Sequence, residues 1–310
     1  MGITEKQLED RQKCLGGSDI PILFGLSRFK SPHDLWLEKT GRTRPEDISD
    51  NPAVRAGNAF EEGVIVEGQE RLGAMVRNVE RRIKGTPIKV HADAMLKESK
   101  EPFEVKVEGL FWNLREGWGE EGTDDVPFDV LLQAMTQAMS LDAEVGHIGA
   151  FLGGRGFAFY KFGYDSRIAE QILERADVFW NKHVQADIPP EGLPSIEMLK
   201  RTIREVKTVG VDAVLMDRYR DAKFYLKEAE EAEKTLKAEI LTSMGDAECG
   251  QVIADGQVYR MTYKTQARSG FDTKRLKEEH PELASEYVKQ TQFNVARFSV
   301  KEDKPKKGKG

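Results

Sequence analysis

The sequence is poor in cysteine. Two occur in 310 residues, Cys14 and Cys249, far apart and in no Cys-x-x-Cys spacing. That excludes a zinc or iron–sulfur site built from four cysteines of this chain and points to a reducing compartment. No run of about 18 apolar residues is present, so no helical membrane span is expected. The opening MGITEKQLED has no apolar signal core, and Lys6 stands where a myristoylation signal needs Ser or Thr. The expected location is therefore cytoplasmic. A basic excess is missing too: the formal net charge is −6, whereas proteins that coat nucleic acid carry the opposite balance. Any contact with nucleic acid must be focused. His33, His147, His183 and His280 fall in no metal-ligand spacing.

What is present is a globular composition, 39% apolar and 32% charged, with room for one large domain and an appendage. The stretch SPHDLWLEKTGR (31–42) reads as a helix capped by Ser31, with Pro32 in its first turn and Gly41 at its end. NPAVRAGNAFEEGVIVEGQERLG opens in the same way at Asn51 and Pro52, and sets Phe60, Val64, Gly68 and Leu72 on one face. In PIKVHADAML, Ile88, Val90 and Ala92 alternate with Lys89, His91 and Asp93. FEVKVEG repeats the pattern, with Phe103, Val105 and Val107 against Glu104, Lys106 and Glu108. The polar KESKEP between them reads as a hairpin connection. DDVPFDVLLQAMTQAMSL is then a helix. GHIGAFLGG and GFAFYKFGY form a second hairpin around Gly153, Gly154 and Gly156. DSRIAEQILERADVFWNKHVQA is a further helix, halted at Pro189-Pro190. This order predicts an α/β core.

Past residue 205 the texture changes. Leu215, Tyr219, Ala222, Leu226, Ala229, Leu236 and Ile240 recur in steps of three and four, interrupted by Glu233, with Glu and Lys dense around them. The two alanines and the glutamate weaken this seam, so it is expected to pack against another helix of an assembly or against a partner. Gly245 ends the helix. Short strands follow in QVIADGQVYRMTYKT, with Asp255-Gly256 as their turn. The expected division is a core over 1–205, a helical and small α+β region over 206–300, and a disordered basic tail over 301–310.

The polar faces of the first hairpin carry chemistry. In a hairpin symmetric about residues 99 and 100, Asp93 lies opposite Lys106, with Glu104 diagonal on the same face. The pattern is Asp, ten residues, then Glu-x-Lys. Hard carboxylate oxygens of this kind hold Mg²⁺ while leaving water positions open. The ion activates a water and neutralises charge on a phosphodiester transition state, and an adjacent ammonium adds positive charge. Salt-bridged surface hairpins carry the same spacing, so the trio gains weight from its company: Glu61 (or its neighbour Glu62) on the helix upstream, and Gln133 on the helix downstream. Read structurally, Glu61 is a solvated helix residue, Gln133 a buried amide, Ser18 a helix cap and Arg11 an exposed charge. Glu108 lies beyond metal reach, His91 only flanks Asp93, and Trp36, Trp112, Trp118 and Trp180 serve packing.

GGSDIPILFGLSRFKSPHDLWLEKTGR, then AGNAFEEGV, the Asp…Glu-x-Lys pair and WGEEGTDDVPFDVLLQAMTQAM resemble the YqaJ-type viral recombinase family. That family includes phage lambda exonuclease and belongs to the restriction-endonuclease-like, or PD-(D/E)xK, nucleases. The resemblance covers roughly residues 10 to 190. It implies a central mixed β-sheet flanked by helices, followed here by a long-helix and small β appendage without counterpart in the compact phage enzyme. It places the family's acidic helix residue on Glu61, its metal carboxylates on Asp93 and Glu104, and its lysine on Lys106. The Val105 carbonyl becomes a further metal ligand and Gln133 the helix glutamine, while Arg11 and Ser18 grip a 5′-phosphate. The chain departs from the family at Asp93, where HADAML replaces a Pro-Asp-Gly-like turn.

The implied activity is a Mg²⁺-dependent 5′→3′ exonuclease on double-stranded DNA ends, with Mn²⁺ able to substitute, leaving 3′ overhangs for recombination. The alternatives are a structure-specific endonuclease and a non-catalytic DNA-end-binding scaffold. The implied partners are DNA ends, a single-strand-annealing protein and further copies of the chain in a ring, with a trimer favoured.

Overall fold

The computed structural model describes residues 11–44, 46, 48, 50–111, 113–267, 269–270, 272–288 and 292–299. The expectations for the N-terminal stretch, Trp112 and the 301–310 tail lie outside these residues. The chain divides into two compact units, Met1–Arg204 with Gln292–Gly310, and Glu205–Thr291.

The first unit is built on a five-stranded sheet in the order β1 (Met75–Arg82), β2 (Lys89–Leu96), β3 (Pro102–Glu108), β4 (Val145–Leu152), β5 (Gly156–Gly163). All neighbours are antiparallel except β3 and β4. A parallel pair needs a crossover, and helix α4 (Phe128–Leu141) supplies it, numbering after α1 (Ile20–Leu23), α2 (Pro32–Lys39) and α3 (Pro52–Leu72). α5 (Ser166–Val178) runs on as a π-helical segment, Phe179–Gln185, and α6 (Ile196–Arg201) follows. The mixed sheet flanked by helices is the fold that the sequence predicts.

The helix starts are set by short-range chemistry. Ser31 accepts from the Asp34 amide at 3.1 Å while the Asp34 carboxylate accepts from the Ser31 amide at 2.9 Å, a reciprocal cap. Asn51 caps α3, and Gly73, at φ 103, closes it. α3 covers one face of β3. A Cβ on Gly68 would stand 2.7 Å from the Phe103 ring, and one on Gly149 of β4 would stand 2.3 Å from it. Phe103 is therefore clamped between helix and sheet, which fixes its neighbour Glu104 on the opposite face, toward α4.

Three features differ from the sequence expectation. β1 was not anticipated, because it is an edge strand with one buried residue, Val79, among charged neighbours. The hairpin register also differs: Ala94 pairs with Phe103 and Met95 with Pro102, which sets Asp93 level with Glu104 rather than Lys106. The tight connection, with Lys100 at φ 65 and the Leu96 amide bonded to the Glu101 carbonyl at 2.9 Å, centres the hairpin one residue earlier. Finally, the pleat of β2 is not uniform. Ile88 and Val90 join the core covered by α4, whereas Ala94 and Leu96 join Val64, Ile65 and Phe103 beneath α3. All four numbers are even, so the strand must change phase between them. The change falls at Asp93: the β1–β2 ladder lacks the pair Asn78–Asp93, and Asn78 has φ 52, a conformation that Asn tolerates better than most residues.

The second unit contains α7 (Ala213–Met244), the hairpin of β6 (Cys249–Ala254) and β7 (Gln257–Thr262), α8 (Thr273–Glu279) and α9 (Pro281–Glu286). Asp255 and Gly256 turn the hairpin with φ 52 and 73, the positive values that a two-residue primed turn requires. No residue of α7 is buried. Residues 292–299 belong to the first unit, contrary to the expected 206–300 region. The Asn294 side chain donates to the Thr202 carbonyl at 2.7 Å and the Leu199 carbonyl at 3.1 Å, at the C-terminal end of α6.

Candidate active site

The site forms where β3 faces α4. Glu104 is 2% exposed, and a buried carboxylate is costly unless donors meet it. Three do. Lys106 and Gln133 both donate to its Oε1, the latter at 2.6 Å, and Gln137 donates to Oε2. Lys106 also donates to Gln133 Oε1 at 2.9 Å, closing a ring of three side chains. Gln133 and Gln137 are four residues apart on α4 and so share one helix face.

Gln137, which the sequence reading passed over, is fully buried. Its Oε1 has no hydrogen-bond partner among the described residues, and its amide also reaches the His91 carbonyl at 3.4 Å. Its signal in the sequence was weak, a glutamine one turn after Gln133 on the same helix face. Arg77 was missed as well, because its strand was missed.

Asp93 sits at the phase change of β2. Its Oδ2 accepts the Val105 amide at 2.8 Å, so the carboxylate takes the place that a strand carbonyl would hold in a regular ladder. Burial and then the adjacent Glu104 carboxylate push the Asp93 carboxyl up to about 8, and Glu61 adds to this, against the Val105 amide and Lys106. Burial works to lower Lys106, but Glu104, Asp93 and Glu108 outweigh it, so its affinity for the proton rises and it remains an ammonium.

Of the two acidic candidates on α3, Glu61 is the one whose charge acts on Asp93. Arg77 lies 3.7 Å from Glu61 and pairs with the more exposed Glu62. Asp93, Glu104 and Lys106 are thus brought together, with Gln133 against the last two, while Glu61 on α3 is near enough for its charge to act on Asp93.

Whether these residues suit a divalent cation is a question of charge and donor type. The groups are hard oxygens, and burial and then the charge of Glu104 raise Asp93, both of which a bound cation would offset. No group of three or more His, Cys, Asp or Glu side chains among the described residues forms a ready cage. Mg²⁺ does not require one, because it binds through one or two carboxylates and keeps several waters. The residues fit.

The GGSD turn leans on this site. A Cβ on Gly17 would touch Gln133 Cγ and Val90 Cγ1, both at 3.5 Å. Asp19 ties the turn down by accepting from the Gly16 amide at 2.9 Å and pairing with Lys39 at 2.6 Å, and Lys39 reaches the Arg11 carbonyl at 2.7 Å. Ser18 is exposed on this turn, and its hydroxyl caps neither the turn nor α1. Arg11 is exposed at the start of the described chain.

The remaining polar candidates are occupied elsewhere. His91 is bound to Glu80 at 2.8 Å. Glu108 holds Arg115, which holds Asp129, and accepts the Trp118 indole at 3.2 Å. Trp36 and Trp118 are buried, and Trp180 packs against the same core.

Residues 6–144 match the YqaJ-like viral recombinase domain, the family that the motifs resemble. The YqaJ protein of Bacillus subtilis strain 168, whose printed name calls it uncharacterised, is 28% identical over 312 residues, spanning 96% of this chain and 94% of its own. Two solved structures overlap at lower similarity. The alkaline exonuclease LHK-Exo from Laribacter hongkongensis superposes with a TM-score of 0.45 at 11% identity, over 60% of this chain and 94% of that one. A phage-related exonuclease from Haemophilus somnus 129PT gives 0.43 at 14% identity, over 56% and 95%. No helix among the described residues is long and apolar enough to cross a membrane.

Proposed function

We propose that this chain, through its YqaJ-like viral recombinase domain, is a Mg²⁺-dependent exonuclease that digests double-stranded DNA from its ends in the 5′→3′ direction. The observation that carries this reading is the gathering of Asp93, Glu104 and Lys106 about Val105 on adjacent strands. Asp93, Glu104 and the Val105 carbonyl would hold the ion, with Glu61 reaching it through a water that it keeps. When bound, Mg²⁺ supplies positive charge at the scissile phosphate and acidifies the attacking water.

The chain's own residues do the rest. Glu104 and Gln133 aim the Lys106 ammonium, which places a fixed positive charge where negative charge grows on the phosphate. Phe103, clamped by Gly68 and Gly149, keeps β3 from shifting as that charge develops. Ser18 and Arg11 are assigned to the 5′-phosphate, a focused contact that suits a chain of net charge −6. The polarity and the 3′ overhangs follow from the family resemblance.

A linear duplex and a covalently closed circle, each incubated with the protein and Mg²⁺, test the reading. Loss of the linear duplex alone, with 5′-terminal label released first, is expected, and so is better digestion of 5′-phosphorylated than 5′-hydroxyl ends. Nicking of the circle makes the protein an endonuclease, and no turnover on either substrate makes it a scaffold. Mn²⁺ should replace Mg²⁺, while the larger and looser shell of Ca²⁺ should support little hydrolysis.

A further inference from the structure

α7 is a 32-residue helix with no buried residue. Its seam residues Leu215, Tyr219, Leu226, Leu236 and Ile240 are 42–60% exposed. Apolar surface arranged in this way marks a binding face, and the seam itself says what covers it. The positions 215, 219, 222, 226, 229, 233, 236 and 240 keep strict alternation of four and three. They are symmetric about the midpoint between Lys227 and Glu228: in an antiparallel pair of identical helices, 215 meets 240, 219 meets 236, 222 meets 233 and 226 meets 229. Leu226 then faces an alanine, and Glu233 faces Ala222, where there is room for the carboxylate to bend outward.

The charges beside the seam choose the direction. In the antiparallel register, Arg218 meets the partner's Glu239 and Lys223 meets the partner's Glu230, each twice by symmetry. In a parallel pair, Arg218 would face the partner's Lys223, and Glu233 would stack on the partner's Glu233 inside the seam. Intrahelical ion pairs show the same division. Arg220 pairs with Asp217 and Asp221, and Lys234 with Glu231, all on the outer face. Arg218, Lys223, Glu230 and Glu239, the flanking charges that the antiparallel register pairs, close no ion pair among the described residues, whereas Lys237, also beside the seam, lies 3.9 Å from Glu233. We propose that α7 is a homodimerisation helix that pairs antiparallel with α7 of a second copy, through a two-fold axis near Lys227. The seam is about 39 Å long at 1.5 Å per residue. The proposal is independent of the activity assigned to the first unit and of any ring formed by it.

The test uses the full chain with Cys249→Ser, which leaves only the buried Cys14 as a native thiol. Spin labels are attached at Lys227→Cys or Thr242→Cys. Antiparallel pairing predicts a short inter-label distance, under about 20 Å, at 227 and a long one, about 40 Å, at 242, since 242 lies level with 213 of the other copy. Two short distances mean a parallel pair and overturn the proposal. Absence of the short distance at 227 means that something other than a second α7 covers the seam, and overturns it as well. Arg218→Glu with Lys223→Glu turns all four flanking pairs repulsive and should raise the dimer dissociation constant at least about tenfold. Adding Glu230→Lys and Glu239→Lys should restore it. A double variant that pairs as tightly as the parent removes the register.

Discussion

The face of β3 toward α4 and the seam of α7 are opposites. On the first, a carboxylate, an ammonium and two amides are packed where apolar side chains would be cheaper. On the second, leucines, a tyrosine and an isoleucine stand in solvent where polar ones would be. Each placement runs against the hydrophobic effect. The buried polar cluster survives because every charge in it has a partner, so it is rigid, and a rigid set of charges is what a hydrolytic site needs. The leucines and isoleucine of the seam are 42–60% exposed, the surface that the proposed pairing would cover. Misplaced chemistry thus reads as a reaction site when it lies inside and as an interface when it lies outside.

The contrast is broken most severely by removing the buried charge. Glu104→Gln and Asp93→Ala should each lower turnover by at least about a thousandfold while leaving DNA-end binding close to the parent value. Rates on a linear duplex, set beside filter-binding affinity, check this, and parent-like turnover in either variant would remove the assignment.

Lys106→Met keeps the length of the stem and deletes the charge. A loss of about a hundredfold or more in kcat, with little change in KM for DNA, is expected if the ammonium acts on the transition state. A change confined to KM would make it a binding residue.

Gln137→Leu is the finer cut. Gln137 touches Glu104 and not the substrate, so it is a positioning residue, and a roughly 10- to 100-fold loss in kcat is expected. The concentration of Mg²⁺ needed for half-maximal rate should rise, a shift that a purely structural role does not produce. Gln137→Met, which fills the space without donating, should behave like the leucine variant.

Smaller still is Gly68→Ala. Its Cβ would press on the Phe103 ring at 2.7 Å and should cost about 1–3 kcal/mol of stability, read as a lower unfolding midpoint of the first unit. The smallest effect is on the other side of the comparison. Leu236→Gln should leave that midpoint within about 0.5 kcal/mol while weakening self-association, measured by sedimentation.

Much of the fold was legible because local rules sufficed. Ser31, Asn51, Gly41 and the Asp255-Gly256 turn fall where the sequence puts them, since caps and turns depend on neighbours only a few residues away. The β4–β5 hairpin and α4 were legible from apolar periodicity. β1 was not, because an edge strand exposes most of its side chains and carries no alternation to read. Of the candidate site residues, Asp93, Glu104, Lys106 and Gln133, which the structure gathers, were singled out from residue type, spacing and resemblance, as was Glu61 on α3. Gln137 was hidden because an amide on a buried face looks like any other polar interruption until its partner is placed.

The sequence alone determined which side chains are present and which helices begin where, because capping, proline and glycine act within one turn of chain. It also determined the seam of α7, whose period is a property of a single helix. The tertiary structure decided the pairing of β2 with β3 and the change of pleat at Asp93 opposite Asn78. Strand register is set by cross-strand packing, and one residue of slip exchanges the faces. It also decided that Asp93 gives its carboxylate to the Val105 amide and that both oxygens of Glu104 are held from α4. Those contacts join residues 12 to 33 positions apart, and only a packed sheet and helix bring such residues within hydrogen-bonding distance.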